Sequence, residues 1–191
     1  MASNLANLIL ILSIFFSFIS NFCFIKKNYN FSIRFFNISS FLSIITFSLL
    51  VYYFSISEFS IAAVYENSHT LKPLFYKIAG TWGNHEGSLL LFVIIICLFG
   101  TLFTFCSNNN DFEFKALVIF FQNNIYLIFL LFLVSTSNPF DLIVPAPKEG
   151  LGLNPVLQDP LLLIHPPMLY LGYVGFSLTL SLVLAALIKK N

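Results

Sequence analysis

Long apolar runs separated by polar segments dominate the pattern of this chain. A helix needs about 20 apolar residues to cross the hydrocarbon core of a bilayer. Five stretches approach or reach that length without an interior charge, and they are Leu5–Ile25, Ile38–Ser57, Leu89–Cys106, Ala116–Val134 and Met168–Ile188. The pattern predicts an all-α, polytopic transmembrane helix bundle of about five spans, in which residues 1–191 form a single membrane domain.

The segments between the spans differ in length. Residues 58–88 and 135–167 form two loops of roughly 30 residues each, while the other two connections are short. Loops this long are usually functional or disordered. These two are rich in Gly, Pro and aromatic residues, so we expect them to be ordered. Five alternating spans place both loops on one face, and the loops contain all three histidines: His69, His85 and His165.

The distribution of Lys and Arg predicts which face this is. Loops on the cytoplasmic or matrix side of a membrane are enriched in these residues. The face opposite the histidines receives six of the nine cations, which are Lys26, Lys27, Arg34, Lys115, Lys189 and Lys190. The two long loops are therefore expected on the outer face, toward a periplasm or an intermembrane space.

Composition agrees with a membrane location. Charged residues make up 9% of the chain, whereas a soluble domain carries about a quarter, so lipid must be the main solvent. A net charge of +1 gives no indication of nucleic-acid binding. The abundance of Phe, Ile and Asn, with a single arginine, is typical of an AT-rich organellar gene.

Two polar features within the spans have ordinary structural explanations. Cys23, Cys97 and Cys106 lack CxxC spacing and lie within or at the ends of apolar runs, so they are interpreted as small apolar residues. The run Gln122–Asn124 is interpreted as interhelical hydrogen bonding. A role of this run in conduction is the alternative, although no charged residue joins it.

The first long loop ends in a glycine-rich segment, Gly80–Ser88, that contains the only tryptophan, Trp82. A turn, an interfacial tryptophan and a helix cap explain most of it, with Ser88 as the expected N-cap and Glu86 near the positive end of the helix. His85 does not belong to an HExxH zinc motif, because a leucine stands where the second histidine would be.

The second long loop leads to His165 through Asp159-Pro160, a pair typical of a helix start. We expect a short interfacial helix that stops near His165, because a residue before proline is disfavoured in the α region. Pro166 and Pro167 would then begin the fifth span. A helix N-terminus beside His165 would favour the neutral imidazole, which is the form that binds iron. A hydrogen-bonded structural histidine and a metal ligand both remain open.

Several motifs in the two loops resemble the CcmF family of system I cytochrome c maturation. They are Glu66–His69, Lys72–Leu74, Trp82–Ser88, Pro145–Glu149, Gly150–Pro155, Leu157–Asp159 and His165–Ser177. The resemblance implies a subunit of a haem lyase, which attaches haem covalently to the Cys-x-x-Cys-His motif of apocytochrome c. The histidine of the family's His-Pro-Pro motif is an axial haem ligand and corresponds to His165.

The resemblance also implies the surroundings of this ligand. We expect Pro166, Pro167, Trp82 and His85 to belong to the haem-binding surface, and His165 to be the metal ligand. The haem is b-type and in transit to cytochrome c. It arrives on a CcmE-type carrier, and a CcmH-type subunit handles the apocytochrome. No residue of this chain is an evident general acid or base, so no catalytic residue is assigned.

The family's tryptophan-rich segment and second external histidine do not occur in this sequence. This implies the N-terminal portion of a CcmF divided between separate chains, located in the mitochondrial inner membrane with the histidines toward the intermembrane space. Such a subunit is not expected to be active alone. The alternative is a structural or assembly subunit of a respiratory complex that binds no cofactor.

Overall fold

Helices account for most of the residues that the computed structural model describes, which are 2–107 and 111–189. The longer helices are α1 (Ala2–Ile25), α2 (Tyr29–Ile56), α5 (His85–Cys106), α6 (Phe112–Thr136), α7 (Pro160–Val174) and α8 (Phe176–Lys189). The shorter ones are α3 (Ala62–Asn67), α4 (Leu74–Gly80) and a 3₁₀ turn at Pro155–Gln158. Within these ranges, β-structure is limited to an isolated bridge between Ile61 and Leu142.

The predicted helical membrane bundle is confirmed, because five helical segments are long and apolar enough to span a bilayer. The fifth runs from Leu163 to Lys189 and comprises most of α7 and all of α8. The helices extend beyond the apolar stretches: α2 begins at Tyr29 rather than near Ile38, and α5 begins at His85. Polar residues can remain helical at the ends of a span, where water and headgroups are available.

Helix α6 lies at the centre of the bundle and contacts α1, α2, α5 and α8. Its polar residues point toward different neighbours. Asn123 receives a hydrogen bond from the hydroxyl of Ser17 in α1 at 2.8 Å, and Tyr126 shares one with Ser43 in α2 at 2.6 Å. Gln122 donates to the carbonyl of Ile96 in α5 at 2.9 Å. These contacts support the interpretation of Gln122–Asn124 as interhelical hydrogen bonding.

The two ends of the bundle are closed in different ways. At the end that contains the α1–α2 and α5–α6 connections, Asp111 forms an ion pair with Lys189, and Tyr29 donates to Glu113 at 3.0 Å. Lys190, one of the six cations expected at this end, lies outside the described residues. The three cysteines are free, and Cys97 is buried, in line with their interpretation as apolar residues.

The opposite end is covered by the two long loops, which form one layer. The amide of Leu151 donates to the carbonyl of Tyr65 at 2.8 Å, and that of Gly152 donates to Ser68 at 3.0 Å. A Cβ on Gly150 would lie 2.1 Å from the carbonyl oxygen of Ser68, so this close approach requires glycine. Both loops are thus ordered and lie at the same end of the bundle, as the alternation of spans predicts. The side of the membrane that they face stays a prediction.

A carboxylate also joins the two loops. The amide and hydroxyl of Thr70 donate to Glu149 at 2.9 and 2.6 Å. These two hydrogen bonds stabilise the charged form and lower the pKa of the Glu149 carboxyl from 4.5 to about 2. His69 lies nearby, with its Nδ1 3.8 Å from the same carboxylate, and this Nδ1 accepts a hydrogen bond from the amide of Leu71 at 3.2 Å.

Candidate functional site

The tryptophan-containing segment forms a tight turn between α4 and α5. Asn84 caps α5, because its side-chain oxygen accepts from the amide of Gly87 at 2.7 Å, while its amide group donates to the carbonyl of Gly80 at 2.7 Å. The N-cap is therefore Asn84, and the prediction of Ser88 was wrong because α5 begins four residues before Leu89. A Cβ on Gly87 would lie 1.6 Å from the carbonyl oxygen of Thr81, so the turn requires glycine there.

Helix α7 begins as the sequence predicts but does not stop where it was expected to. Asp159 caps it by accepting from the amide of Leu161 at 2.8 Å, and Pro160 occupies the first turn. The helix then continues through His165, Pro166 and Pro167 to Val174. The prediction of a break at His165 was wrong, and so was the placement of this histidine beside the start of a new helix. The expectation that a helix N-terminus favours its neutral form therefore loses its basis.

The continuation through two prolines has a visible structural reason. In a regular helix the carbonyl of Leu163 would accept from the amide of residue 167, but proline has no N–H. The indole N–H of Trp82 donates to this carbonyl at 2.7 Å instead. Neighbouring groups commonly satisfy backbone carbonyls that proline frees in membrane helices. Trp82 thereby attaches the outer part of α7 to the α4–α5 turn.

A second contact lies about two turns further along α7. The hydroxyls of Ser88 and Tyr170 share a hydrogen bond of 2.5 Å. The ring of Tyr170 also meets that of Phe92 edge to face, with centroids 5.8 Å apart. The sequence analysis includes Tyr170 in the motif His165–Ser177 but assigns it no role, and its position seven residues after Leu163 places it on the same helical face.

A cavity of about 270 Å³ lies between the turn and α7. Its lining consists of Trp82, Gly83, Asn84, His85, Ser88, Leu163 and Pro166. An adjacent cavity of about 230 Å³ is lined by His85, Ser88 and five apolar or aromatic residues of α5, α6 and α7. The structure therefore brings Trp82, His85 and Pro166 together, and His85 lies between the two cavities.

His165 occupies a different position from these residues. It follows the buried Leu163 by two positions, which is about 200° around the helix axis. Its side chain is therefore exposed on the far side of α7, together with Ile164, Met168 and Leu169. Among the described residues, no group of three or more His, Cys, Asp or Glu side chains is arranged to hold a metal ion.

Residues 82–191, more than half of the chain, match the family model described as Cytochrome C assembly protein. The chain belongs to this family. It is similar to the cytochrome c-type biogenesis protein CycK of Bradyrhizobium diazoefficiens, with 56% identity over 133 residues, which cover 70% of this chain and 20% of that protein. It is also similar to CcmF of Escherichia coli K12, with 42% identity over 144 residues, or 75% of this chain and 22% of that protein.

A solved structure, the cytochrome c heme lyase CcmF, has the same fold. It superposes with a TM-score of 0.81 at 21% sequence identity, over 100% of this chain and 31% of that one. The resemblance of the loop motifs to the CcmF family is thus confirmed. The cytochrome c assembly chain described here spans about a fifth of the length of the curated relatives that it matches.

Proposed function

We propose that this protein takes part in attaching haem to apocytochrome c and that His165 provides an axial ligand to the haem iron. Haem is here a substrate in transit rather than a resident cofactor. The proposal is supported by membership of the cytochrome c assembly family and by the position of His165 near the loop-covered end of the bundle.

The observation that carries the proposal is that the imidazole of His165 is accessible to a ligand. The side chain is exposed, and none of the hydrogen bonds or ion pairs among the described residues involves it. A neutral imidazole nitrogen is a common ligand of haem iron. The backbone that carries this imidazole is anchored on the opposite side of α7 by Trp82 and Tyr170. The ligand would therefore be presented to its substrate on a fixed helix.

The other predicted site residues lie around the cavity next to α7. Trp82, His85 and Pro166 line this cavity on the side of α7 opposite His165, and we propose that they support the haem-binding surface from behind the helix that carries the ligand. Pro167 contributes indirectly, since it leaves the carbonyl of Leu163 free for Trp82. The apolar side chains exposed beside His165, including Ile164 and Met168, suit the flat macrocycle of haem, while the protein orients it and excludes water.

The remaining parts of the site belong to regions of CcmF outside this sequence. We propose that these supply the second histidine ligand and the tryptophan-rich segment, with a CcmE-type haem carrier, a CcmH-type subunit and apocytochrome c as partners. Division of CcmF among separate chains, a mitochondrial inner-membrane location and exposure of the loops to the intermembrane space also stay predictions.

The experiment is the variant His165→Ala in the assembled complex. Loss of the haem absorption spectrum and of holocytochrome c is expected. The matched control is His69→Ala, since His69 lies in the same loop layer but already accepts a hydrogen bond from Leu71. An unchanged spectrum and yield in the His165 variant would refute the ligand role, and equal losses in both variants would indicate a general effect on assembly.

A structural or assembly subunit that binds no cofactor is the second candidate. It is favoured by the observation that Trp82 and Asn84 use their polar groups to hold neighbouring backbone. Haem staining of the complex purified with its associated chains separates the two functions. A haem-free complex that still supports respiratory assembly would favour this second candidate.

A further inference from the structure

One of the hydrogen bonds between the segment Trp82–Ser88 and α7 is made possible by a proline. The indole nitrogen of Trp82 lies 2.7 Å from the carbonyl oxygen of Leu163. Leu163 is 2% exposed, so its carbonyl has little access to water. Pro167 stands where the regular helical donor would be and has no N–H to offer. Trp82 and Pro167 are therefore complementary parts of one contact.

This contact lies in the helical turn that carries His165. The histidine stands two residues after Leu163 and two before Pro167, so rotation or bending of this turn would redirect its imidazole. The Trp82 bond fixes the turn from one side of α7, and His165 projects from the other. Tyr170, bonded to Ser88, fixes α7 again further along.

We propose that Trp82 is a positioning residue, whose indole N–H replaces the helical donor removed by Pro167 and thereby sets the direction of His165. Trp82 acts on His165 through the backbone of α7. The contribution of its ring to the lining of the cavity is separate. This inference rests on the proposed role of His165 as a haem ligand.

Pro166 provides an internal control. It removes the helical donor to the carbonyl of residue 162 in the same way that Pro167 removes the donor to Leu163. The indole N–H of Trp82 donates to the second of these two carbonyls, that of Leu163. Replacing Pro167 with alanine would restore an N–H to the carbonyl that Trp82 serves, whereas replacing Pro166 would restore it to the other. The two prolines thus distinguish loss of this bond from a general change in helix stiffness.

The experiment is a double-mutant cycle in the assembled complex. Trp82→Phe keeps an aromatic ring but removes the N–H, and it is compared in three backgrounds: the natural sequence, Pro167→Ala and Pro166→Ala. The readouts are haem affinity by titration and the ligation spectrum of the haem at equal amounts of complex. A purely structural role of Trp82 would lower the amount of complex without changing the spectrum of the part that assembles.

In the natural and Pro166→Ala backgrounds, Trp82→Phe is expected to weaken haem binding about fivefold, the factor that corresponds to one hydrogen bond, and to alter the ligation spectrum. In the Pro167→Ala background the same change is expected to have less than a twofold effect. Equal losses in all three backgrounds would overturn the proposal.

Two further outcomes are informative. If Trp82→Phe prevents assembly, the proposal requires that adding Pro167→Ala, but not Pro166→Ala, restores it; failure of this rescue would overturn the positioning role. If His165→Ala leaves the haem spectrum unchanged, the ligand role fails. The contact between Trp82 and the α7 backbone would then be tested by the same cycle on thermal unfolding, which does not depend on haem.

Discussion

The centre of the bundle and its edge are held together differently. Where α6 meets α1 and α2, Asn123 and Tyr126 are fully buried and hydrogen-bonded to neighbouring helices. In the fifth span, by contrast, 17% of the most apolar segment is buried, compared with 44% in α5 and in α6. Besides the packing of α8 on α6, the α7–α8 edge is joined to the bundle by polar contacts, including those of Trp82 with Leu163 and of Ser88 with Tyr170.

This difference indicates which residues serve the fold and which are available for function. Polar groups at the centre already have partners within the chain, so they contribute to helix association. The outward side of α7 presents His165 next to apolar residues such as Ile164 and Met168, which are half or more exposed. The contrast can be tested by substitutions in both regions.

The largest effect is expected at the turn that joins α4 to α5. In Gly87→Ala the new Cβ would lie 1.6 Å from the backbone oxygen of Thr81, and backbone cannot move aside as a side chain can. We expect a loss of about 3 kcal/mol in the free energy of unfolding, together with displacement of Trp82. Thermal unfolding in detergent and the yield of folded protein measure it.

Gly172→Ala is the matched control for this change. Gly172 lies in α7 with no atom within 4 Å of its Cβ position, so alanine is expected to stabilise the helix by about 0.5–1 kcal/mol. A severe loss in this variant would show that the α7 face is occupied in the assembled protein. A mild effect of Gly87→Ala would mean that the turn is looser than the geometry indicates.

Substitutions at two adjacent residues of α6 allow a direct comparison of stability at the centre and at the edge of the bundle. Asn123 makes three hydrogen bonds to Ser17 and Asn21 of α1, and Gln122 makes three to α5 and α8. Replacing either with alanine is expected to cost about 1–2 kcal/mol, since each interhelical bond contributes about 0.6 kcal/mol.

The two variants should lose similar amounts of stability but in different helices. Hydrogen exchange is expected to rise along α1 and α6 in Asn123→Ala, but mainly along α8 in Gln122→Ala, where Ser181 donates to the amide oxygen at 2.9 Å. An identical exchange pattern in both variants would remove the distinction between a cooperative centre and a separately attached edge.

The sequence predicts these two regions with unequal success. The number of spans follows from the lengths of the apolar runs, which is a local property. The continuity of α7 through its two prolines cannot be predicted from local sequence. The donor that compensates for Pro167 is the indole of Trp82, 81 residues away from Leu163 in the chain. The pairing of Ser88 with Tyr170 is equally non-local. Local rules for proline therefore predicted a break where a distant side chain stabilises a continuous helix.

A smaller effect is expected in the loop layer. Hydrogen bonds from Thr70 lower the pKa of Glu149 to about 2. A depressed carboxyl pKa means that this contact contributes stability above the ordinary value of 4.5, and that the contribution is lost as the pH falls from 4.5 through about 2. In Thr70→Val the pKa of Glu149 should rise toward 4.5, measured by carbon NMR of its carboxyl group. An unchanged pKa would show that another group holds the charge.

The smallest effect on stability is expected for the residue with the largest proposed role. His165 is exposed, and no hydrogen bond among the described residues involves it, so His165→Ala should change the free energy of unfolding by less than about 0.5 kcal/mol. Urea or thermal unfolding of the protein without haem measures this. A loss greater than about 1 kcal/mol would show that His165 supports the fold. The exposed side of α7 would then stabilise the protein as the centre of the bundle does. A negligible loss, combined with loss of haem ligation in the complex, would instead separate the contribution of His165 to function from its contribution to folding, because an imidazole that stabilises nothing within its own chain remains free to bind iron.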